Sequence, residues 1–489
     1  MRRLSGSDAL FLSMESSTAY QHVGGLVLLD PLAGMGFSTE RIRQTTADRL
    51  HLVPKFMWKL KEVPLHLDRP VWVEDTAFDL DRHIKRIAVP SPGGRRELGD
   101  LVGQLSARQL DRRFPLWEMW IIEGVSGGTG VAVYMKYHHC MMDGMTGASL
   151  ADQLFDLEPN PAPSQTPPTL TVAPGDAGQH DPGDLELVAR SFVSNLAIPL
   201  RVANYLKSTV ERGAIIAWNK RGKPALPGLT APNTILNGVL GPNRQAVFAS
   251  VALSDVKRLR KELDVKVNDI VLALVAGALR DYFIEQDALP DGPLTAIVPV
   301  STQVADDNHA GNQIATTPVS LPTDLADPLE RVQAVFESTS AAKTMLKAVR
   351  ARSIQSIGEV APPLLLNLAS RTIQTQTVTG LLPTAVTLVV SNVPGPPIPL
   401  YLAGAKVRGI YTSSVLMANM GCNITLLSYE DRVDFGITVD PDMVPRAYRI
   451  GELLQVSLAE LLKAADLGDP TPVEDPFDRP VAQPARKAR

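Results

Sequence analysis

The chain has 489 residues, which is more than one hydrophobic core usually organises, so we expect two domains. Hydrophobic residues make up 45% and charged residues 20% of the chain, a balance typical of a globular protein with large cores. The formal net charge of −4 argues against nucleic acid as the main partner.

The sequence indicates neither a disulfide framework nor a membrane span. Two cysteines, Cys140 and Cys422, are too few for such a framework and suit a reducing cytoplasm. The basic start at residues 1–3 is not followed by an apolar signal core. The longest apolar run, at residues 270–279, is too short to cross a bilayer. We therefore predict a soluble or peripheral protein.

The first part of the chain alternates predicted helices and strands. In chain order these are a helix at 4–11, a strand at 22–29, a helix at 38–51 and strands at 119–123 and 131–137. Pro115, Leu116 and Trp117 come just before the strand at 119–123, a position that tolerates proline. We expect Trp117 in the core.

A pair of histidines follows the strand at 131–137. His138 and His139 stand where this strand ends and a helix at 144–157 begins, and Gly144 allows a tight backbone path between them. Histidine has an unperturbed pKa of about 6.5, so it can take and return a proton near neutral pH. The pair therefore predicts a general base on a loop held by a strand and a helix.

Three roles are open to Asp143, the next polar residue of this motif. It could orient the His139 ring, form a structural ion pair that locks the loop, or cap the following helix. Cys140 is expected to be a small apolar filler. No Gly-x-Ser-x-Gly nucleophile elbow accompanies the histidines. The pattern therefore favours direct transfer, with the base deprotonating a substrate hydroxyl or amine.

Two polar motifs mark the second half. Asn268 and Asp269 precede an apolar helix at 270–284, where either residue could simply be a helix cap. Ser391 and Asn392 open a polar turn after a strand at 385–390.

Composition divides the chain into four segments. Residues 158–183 and 467–489 are rich in proline and polar residues and cannot build a core. We predict an N-terminal domain at 1–157, a flexible linker with connecting helices at 158–240, a C-terminal domain at 241–466 and a disordered tail at 467–489.

The motifs together resemble those of one enzyme family. His138-His139-x-x-x-Asp143-Gly144 is similar to the HHxxxDG signature of acyl-CoA-dependent acyltransferases. Bacterial wax ester synthase/diacylglycerol acyltransferases combine this signature with three others, which are similar to Pro115-Leu116-Trp117, Asn268-Asp269 and Ser391-Asn392-Val393-Pro394-Gly395-Pro396. The resemblance extends over roughly residues 4–465.

The resemblance implies a fold and a reaction. The fold would be two α/β domains of the chloramphenicol-acetyltransferase type, with the active-site tunnel between them. Acyl-CoA would enter from one side, and diacylglycerol or a long-chain alcohol from the other. His139 would be the general base, with acyl-CoA as co-substrate and no cofactor or metal.

The resemblance also implies roles for the other motif residues. His138 and Asp143 would assist His139, and Asn268 would be a candidate donor to the oxyanion. Further support would come from Gly144 and Asp269. The tunnel wall would include Pro115, Leu116, Trp117, Ser391 and Asn392.

Several alternatives remain open. One is a related acyltransferase with another hydroxyl or amine acceptor, and a second is condensation chemistry on carrier-bound acyl groups. A third is a catalytically silent lipid-binding or lipid-droplet protein. For the enzyme, we predict a cytoplasmic location with peripheral association with membranes or lipid droplets.

Overall fold

The structure is a computed structural model. It describes residues 2–31, 37–128, 130–142, 153–161, 183–196, 231–301, 314–349 and 386–477. These residues form a mixed α/β structure, as the sequence pattern predicts. The helices are α1 (Gly6–Met14), α2 (Thr39–Arg49), α3 (Leu80–His83), α4 (Arg95–Ser106), the single turn α5 (Val125–Gly128), α6 (Asp184–Leu196), α7 (Leu253–Glu262), α8 (Val267–Glu285), α9 (Pro328–Val349) and α10 (Tyr448–Ala464).

The strands form two six-stranded sheets and one of three strands. They are β1 (Arg2–Arg3), β2 (His22–Asp30), β3 (Trp58–Lys61), β4 (Val71–Glu74), β5 (Ile84–Ala88), β6 (Trp117–Gly124), β7 (Gly130–His138), β8 (Gln245–Ala252), β9 (Leu294–Ser301), β10 (Ile314–Leu321), β11 (Leu388–Val393), β12 (Tyr401–Leu402), β13 (Ala405–Ser413), β14 (Cys422–Tyr429) and β15 (Arg432–Val439). The small sheet has the order β1-β4-β3.

The first large sheet holds the histidine strand. Its order is β12-β13-β2-β7-β6-β5, and β7 lies antiparallel to both of its neighbours. The register places His22 directly opposite His138, and Trp117 opposite Tyr137. Cross-strand pairing thus brings β2, which is the first predicted strand, and the Pro-Leu-Trp segment to the end of β7 where the motif begins.

The second large sheet has the order β10-β9-β11-β14-β15-β8. Helix α8 lies against it and packs on α9 and α10, with residues 270–279 almost completely buried. The apolar run in the sequence therefore forms a core helix. Protein surrounds this helix, so the residues on all of its sides are apolar. Within the described ranges, no helix is long and apolar enough to cross a bilayer.

Both large sheets contain strands from the second half of the chain. Residues 401–413, which the sequence places in the predicted domain 241–466, form β12 and β13, and β13 pairs antiparallel with β2 of the first sheet. β13 also passes close to β15, where a Cβ on Gly436 would stand 1.8 Å from the Thr412 carbonyl oxygen. Only glycine permits this approach, so Gly436 is required where β15 of the second sheet meets β13 of the first.

Part of the predicted disordered tail is packed. The prediction for 467–489 is wrong over residues 467–477, which we call the C-terminal strap. Thr471 anchors the strap, because its backbone N–H and its hydroxyl donate to the two carboxylate oxygens of Asp255, at 2.6 and 2.7 Å. Residues 478–489 lie outside the described residues.

The strap ends in an aromatic anchor. Phe477 is only 3% exposed and stacks on Phe248 of β8, with ring centroids 5.9 Å apart. Its ring also lies 5.3 Å from that of Tyr411 in β13, and an ion pair joins Asp475 to Arg95 in α4. The strap therefore connects both halves of the chain. Its proline content suggested a disordered segment, but one buried aromatic ring and a few polar contacts are enough to dock it.

Of the predicted connector at 158–240, residues 162–182 and 197–230 lie outside the described residues. Residues 184–196 form α6, whose Leu187 packs on the small sheet.

Candidate active site

The histidine motif begins as the sequence predicts, at the end of a strand. Strand β7 ends at His138, and His139–Met142 forms a single 3-10 turn. The His138 N–H donates to the Leu116 carbonyl oxygen at 2.9 Å, and the His139 N–H donates to the Gln21 carbonyl oxygen at 2.8 Å. Segments before β6 and β2 thus hold the backbone of both histidines.

Two residues of the motif, Asp143 and Gly144, lie outside the described residues. The three roles open to Asp143 and the supporting role of Gly144 therefore stay predictions.

The His139 ring is held by packing. It stacks on Phe11 with ring centroids 3.7 Å apart and an interplanar angle of 16°. Its Nδ1 is buried and has no hydrogen-bond partner among the residues that the structure describes. Burial lowers the pKa of His139 to about 4. The imidazole is therefore neutral at pH 7, which is the form a general base requires.

Phe11 belongs to α1, which packs against the histidine turn. The Ser5 side chain caps this helix by accepting from the Asp8 N–H at 3.2 Å. Phe11 and Glu15, the C-cap residue, are four residues apart, so they lie on one face of the helix end. Neither residue was singled out from the sequence. Phe11 ends the first predicted helix at 4–11, and Glu15 lies four residues beyond it. This spacing was the available signal, but it does not say which segment the two side chains contact.

His138 is almost completely enclosed, with 1% exposure. Its Nδ1 accepts the Cys140 N–H at 3.1 Å, so in the neutral ring the proton is on Nε2. Burial lowers the pKa of His138 to about 3. The His138 ring is thus fixed in the core, whereas the His139 ring is only partly buried.

Cys140 is unsuited to nucleophilic chemistry. Its side chain is completely buried in the core of the first sheet, and burial raises the pKa of the thiol well above its ordinary value. The thiolate is therefore not populated near neutral pH, and Cys140 packs as the apolar filler that the sequence indicates.

The Pro-Leu-Trp segment braces the site from the core side. Pro115, Leu116 and Trp117 are all buried. The Trp117 indole N–H donates to the Phe56 carbonyl oxygen at 2.8 Å, and its ring stacks on His83 with centroids 4.5 Å apart. Leu116 supplies the carbonyl that holds His138. The contacts give these residues a packing role, and their place in a tunnel wall stays a prediction.

The polar motifs of the second half meet each other. The Asn392 side-chain amide donates to the Asn268 side-chain oxygen at 3.3 Å, and Ser391 lies beside Asn392 in β11. Among the described residues, neither asparagine makes a hydrogen bond with His139. The role of Asn268 as a donor to the oxyanion and the tunnel role of Ser391 and Asn392 stay predictions.

Asp269 is a helix cap. Its buried carboxylate accepts the Lys266 N–H at 3.0 Å and the Thr339 hydroxyl at 2.7 Å, which ties the start of α8 to α9. This is the ordinary capping role that the sequence left open. These contacts fix the helix end on which Asn268 stands, and the supporting role of Asp269 at the site stays a prediction.

The family models match both halves of the chain. The model described as the wax ester synthase/diacylglycerol acyltransferase catalytic domain matches residues 4–271, and the model of the WS/DGAT C-terminal domain matches residues 310–462. The chain belongs to the wax ester synthase/diacylglycerol acyltransferase family. The resemblance seen in the motifs is thereby confirmed, as is the prediction of an acyl-CoA-dependent acyltransferase.

Relatives match this family member over nearly their whole length. A protein of Mycobacterium tuberculosis strain CDC 1551, provisionally named a diacylglycerol O-acyltransferase, is 34% identical over 95% of this chain and 91% of its own length. A second such protein from the same strain is 35% identical over 95% of this chain and all of its own.

Solved structures confirm the predicted fold. The wax ester synthase/diacylglycerol acyltransferase from Marinobacter aquaeolei VT8 superposes with a TM-score of 0.66 at 29% identity, covering 95% of this chain and 100% of its own. A trichothecene 15-O-acetyltransferase from Fusarium sporotrichioides, at 11% identity, gives a TM-score of 0.54 and covers 95% of each chain. At that identity the second match speaks for the fold alone. The two-domain α/β fold of the chloramphenicol-acetyltransferase type is thus confirmed.

Proposed function

We propose that this family member transfers a long-chain acyl group from acyl-CoA to diacylglycerol, forming triacylglycerol, and also accepts long-chain alcohols. The observation that carries the proposal is the state of His139. Its ring is neutral, held by Phe11 and only half-buried, while the thiol beside it in the motif is buried and protonated. The site thus offers a base and lacks a nucleophile among its described residues, which supports direct transfer without an acyl-enzyme.

In the proposed reaction, His139 accepts the proton of the acceptor hydroxyl while the oxygen attacks the thioester carbonyl carbon. A base whose pKa is lowered to about 4 does not ionise an alcohol beforehand, so proton transfer accompanies the attack. The tetrahedral intermediate then collapses. The C–S bond breaks, and the proton on His139 passes to the departing CoA sulfur. No cofactor or metal takes part.

Positioning would supply much of the rate. Acyl-CoA and the acceptor are proposed to reach His139 from opposite sides of a tunnel between the two domains, which makes the attack effectively unimolecular. Asn268 is the proposed donor to the oxyanion, and its contact with Asn392 supports a fixed orientation of its side chain.

We further propose that the protein works in the cytoplasm and meets its substrates at membrane or lipid-droplet surfaces. Two large apolar side chains support this location, since Leu65 is 82% and Leu185 is 87% exposed. They belong to neighbouring segments, because α6 packs against the turn Pro64–His66. Flotation with liposomes tests the proposal, and binding of the wild type should survive high salt. The double variant Leu65→Ser, Leu185→Ser should float less, whereas equal flotation would contradict a role for this surface.

The activity itself is tested with purified protein, labelled long-chain acyl-CoA and a panel of acceptors. Diacylglycerol should give labelled triacylglycerol, and hexadecanol should give wax ester with release of free CoA thiol. Labelled amide from an amine acceptor, without any ester, would favour the alternative acceptor class. No product with any acceptor would contradict the proposed function.

A further inference from the structure

A buried carboxylate lies directly behind the histidine turn. Glu15 follows the last turn of α1, and its side chain is 5% exposed. Its Oε1 lies 3.4 Å from His22 Nε2 and 3.8 Å from His138 Nε2. These two histidines are opposite each other in the β2–β7 pair, so one carboxylate oxygen faces both.

The other carboxylate oxygen is held by an arginine. Arg112 donates to Glu15 Oε2 through Nε at 3.1 Å and through a terminal nitrogen at 2.5 Å. Burial alone would raise the pKa of Glu15, but the contacts with His22, His138 and Arg112 outweigh it and lower the pKa to about 2. The group is therefore a fixed negative charge, and a buried charge is stable only while its partners stay in place.

Contacts through His138 and through Phe11 connect this ion pair to His139, the proposed base. The His138 proton lies on Nε2, the atom nearest Glu15, because Nδ1 accepts the Cys140 N–H. The helix that carries Glu15 also carries Phe11, which stacks on His139. The α1 segment thus approaches both histidines, with Phe11 on the His139 ring and Glu15 beside the His138 ring.

We propose that the Glu15–Arg112 ion pair is a positioning device for the general base: it fixes α1 against the histidine turn, so that Phe11 holds the His139 ring in its working orientation. Glu15 acts through Phe11 and His138 and does not touch the substrate. The inference rests on the proposed function, because it assigns the pair a role only if His139 is the base.

Steady-state kinetics of Glu15→Gln and Glu15→Asp test the device. Gln keeps the shape but removes the charge, whereas Asp keeps the charge on a side chain one methylene shorter, which the 42%-exposed Arg112 can follow. If the ion pair positions the base, Glu15→Gln should lower kcat roughly 10- to 100-fold, because a displacement of the order of 1 Å has effects of that size. Glu15→Asp should keep more of kcat than Glu15→Gln, and the KM for acyl-CoA should stay within about twofold.

A structural role alone would give the reverse order, since the isosteric Gln would then be the milder change. A wild-type kcat in Glu15→Gln, or a lower kcat in Glu15→Asp than in Glu15→Gln, would overturn the inference. If the Glu15 variants do not fold, Arg112→Met provides a second variant. The Arg112 side chain lies at the surface, so its replacement is the milder change for folding. This variant should lose kcat to a similar extent, and a wild-type kcat would again overturn the inference.

Two controls complete the panel. Glu118 is the matched carboxylate, because it lies in the same sheet and pairs with Lys85 at 2.7 Å. Glu118→Gln should keep the wild-type kcat, and an equal loss would mean that removal of any partly buried carboxylate near this sheet disturbs the site. His139→Ala separates the two proposals. An inactive His139→Ala with a fully active Glu15→Gln refutes the positioning role alone, whereas an active His139→Ala refutes the base and the positioning role together.

Discussion

Truncation of Phe477 to alanine examines the docking of the C-terminal strap. The ring is buried between β8 and β13, and the Arg95 guanidinium lies 5.0 Å from its centroid. Phenylalanine-to-alanine changes in cores cost about 3–5 kcal/mol. Detachment of the strap as a unit would limit the loss to the energy of docking. Burial of one such ring contributes roughly 1.5–3 kcal/mol. We therefore expect Phe477→Ala to lower the free energy of unfolding by about 2–4 kcal/mol.

Urea unfolding followed by far-UV circular dichroism measures this loss, and limited proteolysis reports whether the strap has come free. Leu157→Ala is the control, because Leu157 is a large apolar residue that is 65% exposed. A surface change of this kind should stay within about 0.5 kcal/mol. If Phe477→Ala and Leu157→Ala unfold at the same urea concentration and resist protease equally, the strap does not dock as described.

Three further expectations concern stability. The pKa of His138 is lowered to about 3 in the folded chain, so only the unfolded chain takes up a proton there as the pH falls from 6.5 to 5. This residue alone should therefore cost on the order of 2 kcal/mol of stability over that range, and equal urea midpoints at both pH values would contradict its burial. Thr339→Val should cost about 1–3 kcal/mol by leaving the buried Asp269 carboxylate short of a donor, whereas Thr344→Val on the exposed side of the same helix should cost little; equal melting temperatures would argue against the cap. Gly436→Ala should prevent folding to soluble protein because of its clash with the neighbouring strand, and a normal yield would contradict the close crossing of β13 and β15.

Local patterns in the sequence predicted the elements that carry the motifs. The period-two alternation before His138 predicted a strand, and the turn follows it at the expected residue. The apolar run after Asp269 predicted a helix, and its length argued correctly that it is a core element. These predictions succeed because periodicity and capping are properties of neighbouring residues.

Contacts between distant segments were not predictable in this way. Nothing in the alternation of β13 says that it pairs with β2, because its apolar pattern suits either sheet. The stacking of Phe11 on His139 joins residues more than a hundred positions apart, and it depends on how α1 is placed on the sheet. The strap was misjudged for a related reason, since composition averages over a segment while one residue, Phe477, determines its docking.

Replacement of His139 is the most direct test of the account. Acyl transfer from labelled acyl-CoA to diacylglycerol would be measured for the wild type, His139→Ala and His138→Ala, together with their melting temperatures. His139→Ala should fold and lose about 10²- to 10⁴-fold in kcat, because it removes the general base. His138→Ala should retain measurable turnover, because His138 supports the turn. A folded His139→Ala that transfers acyl groups at the wild-type rate would contradict the mechanism.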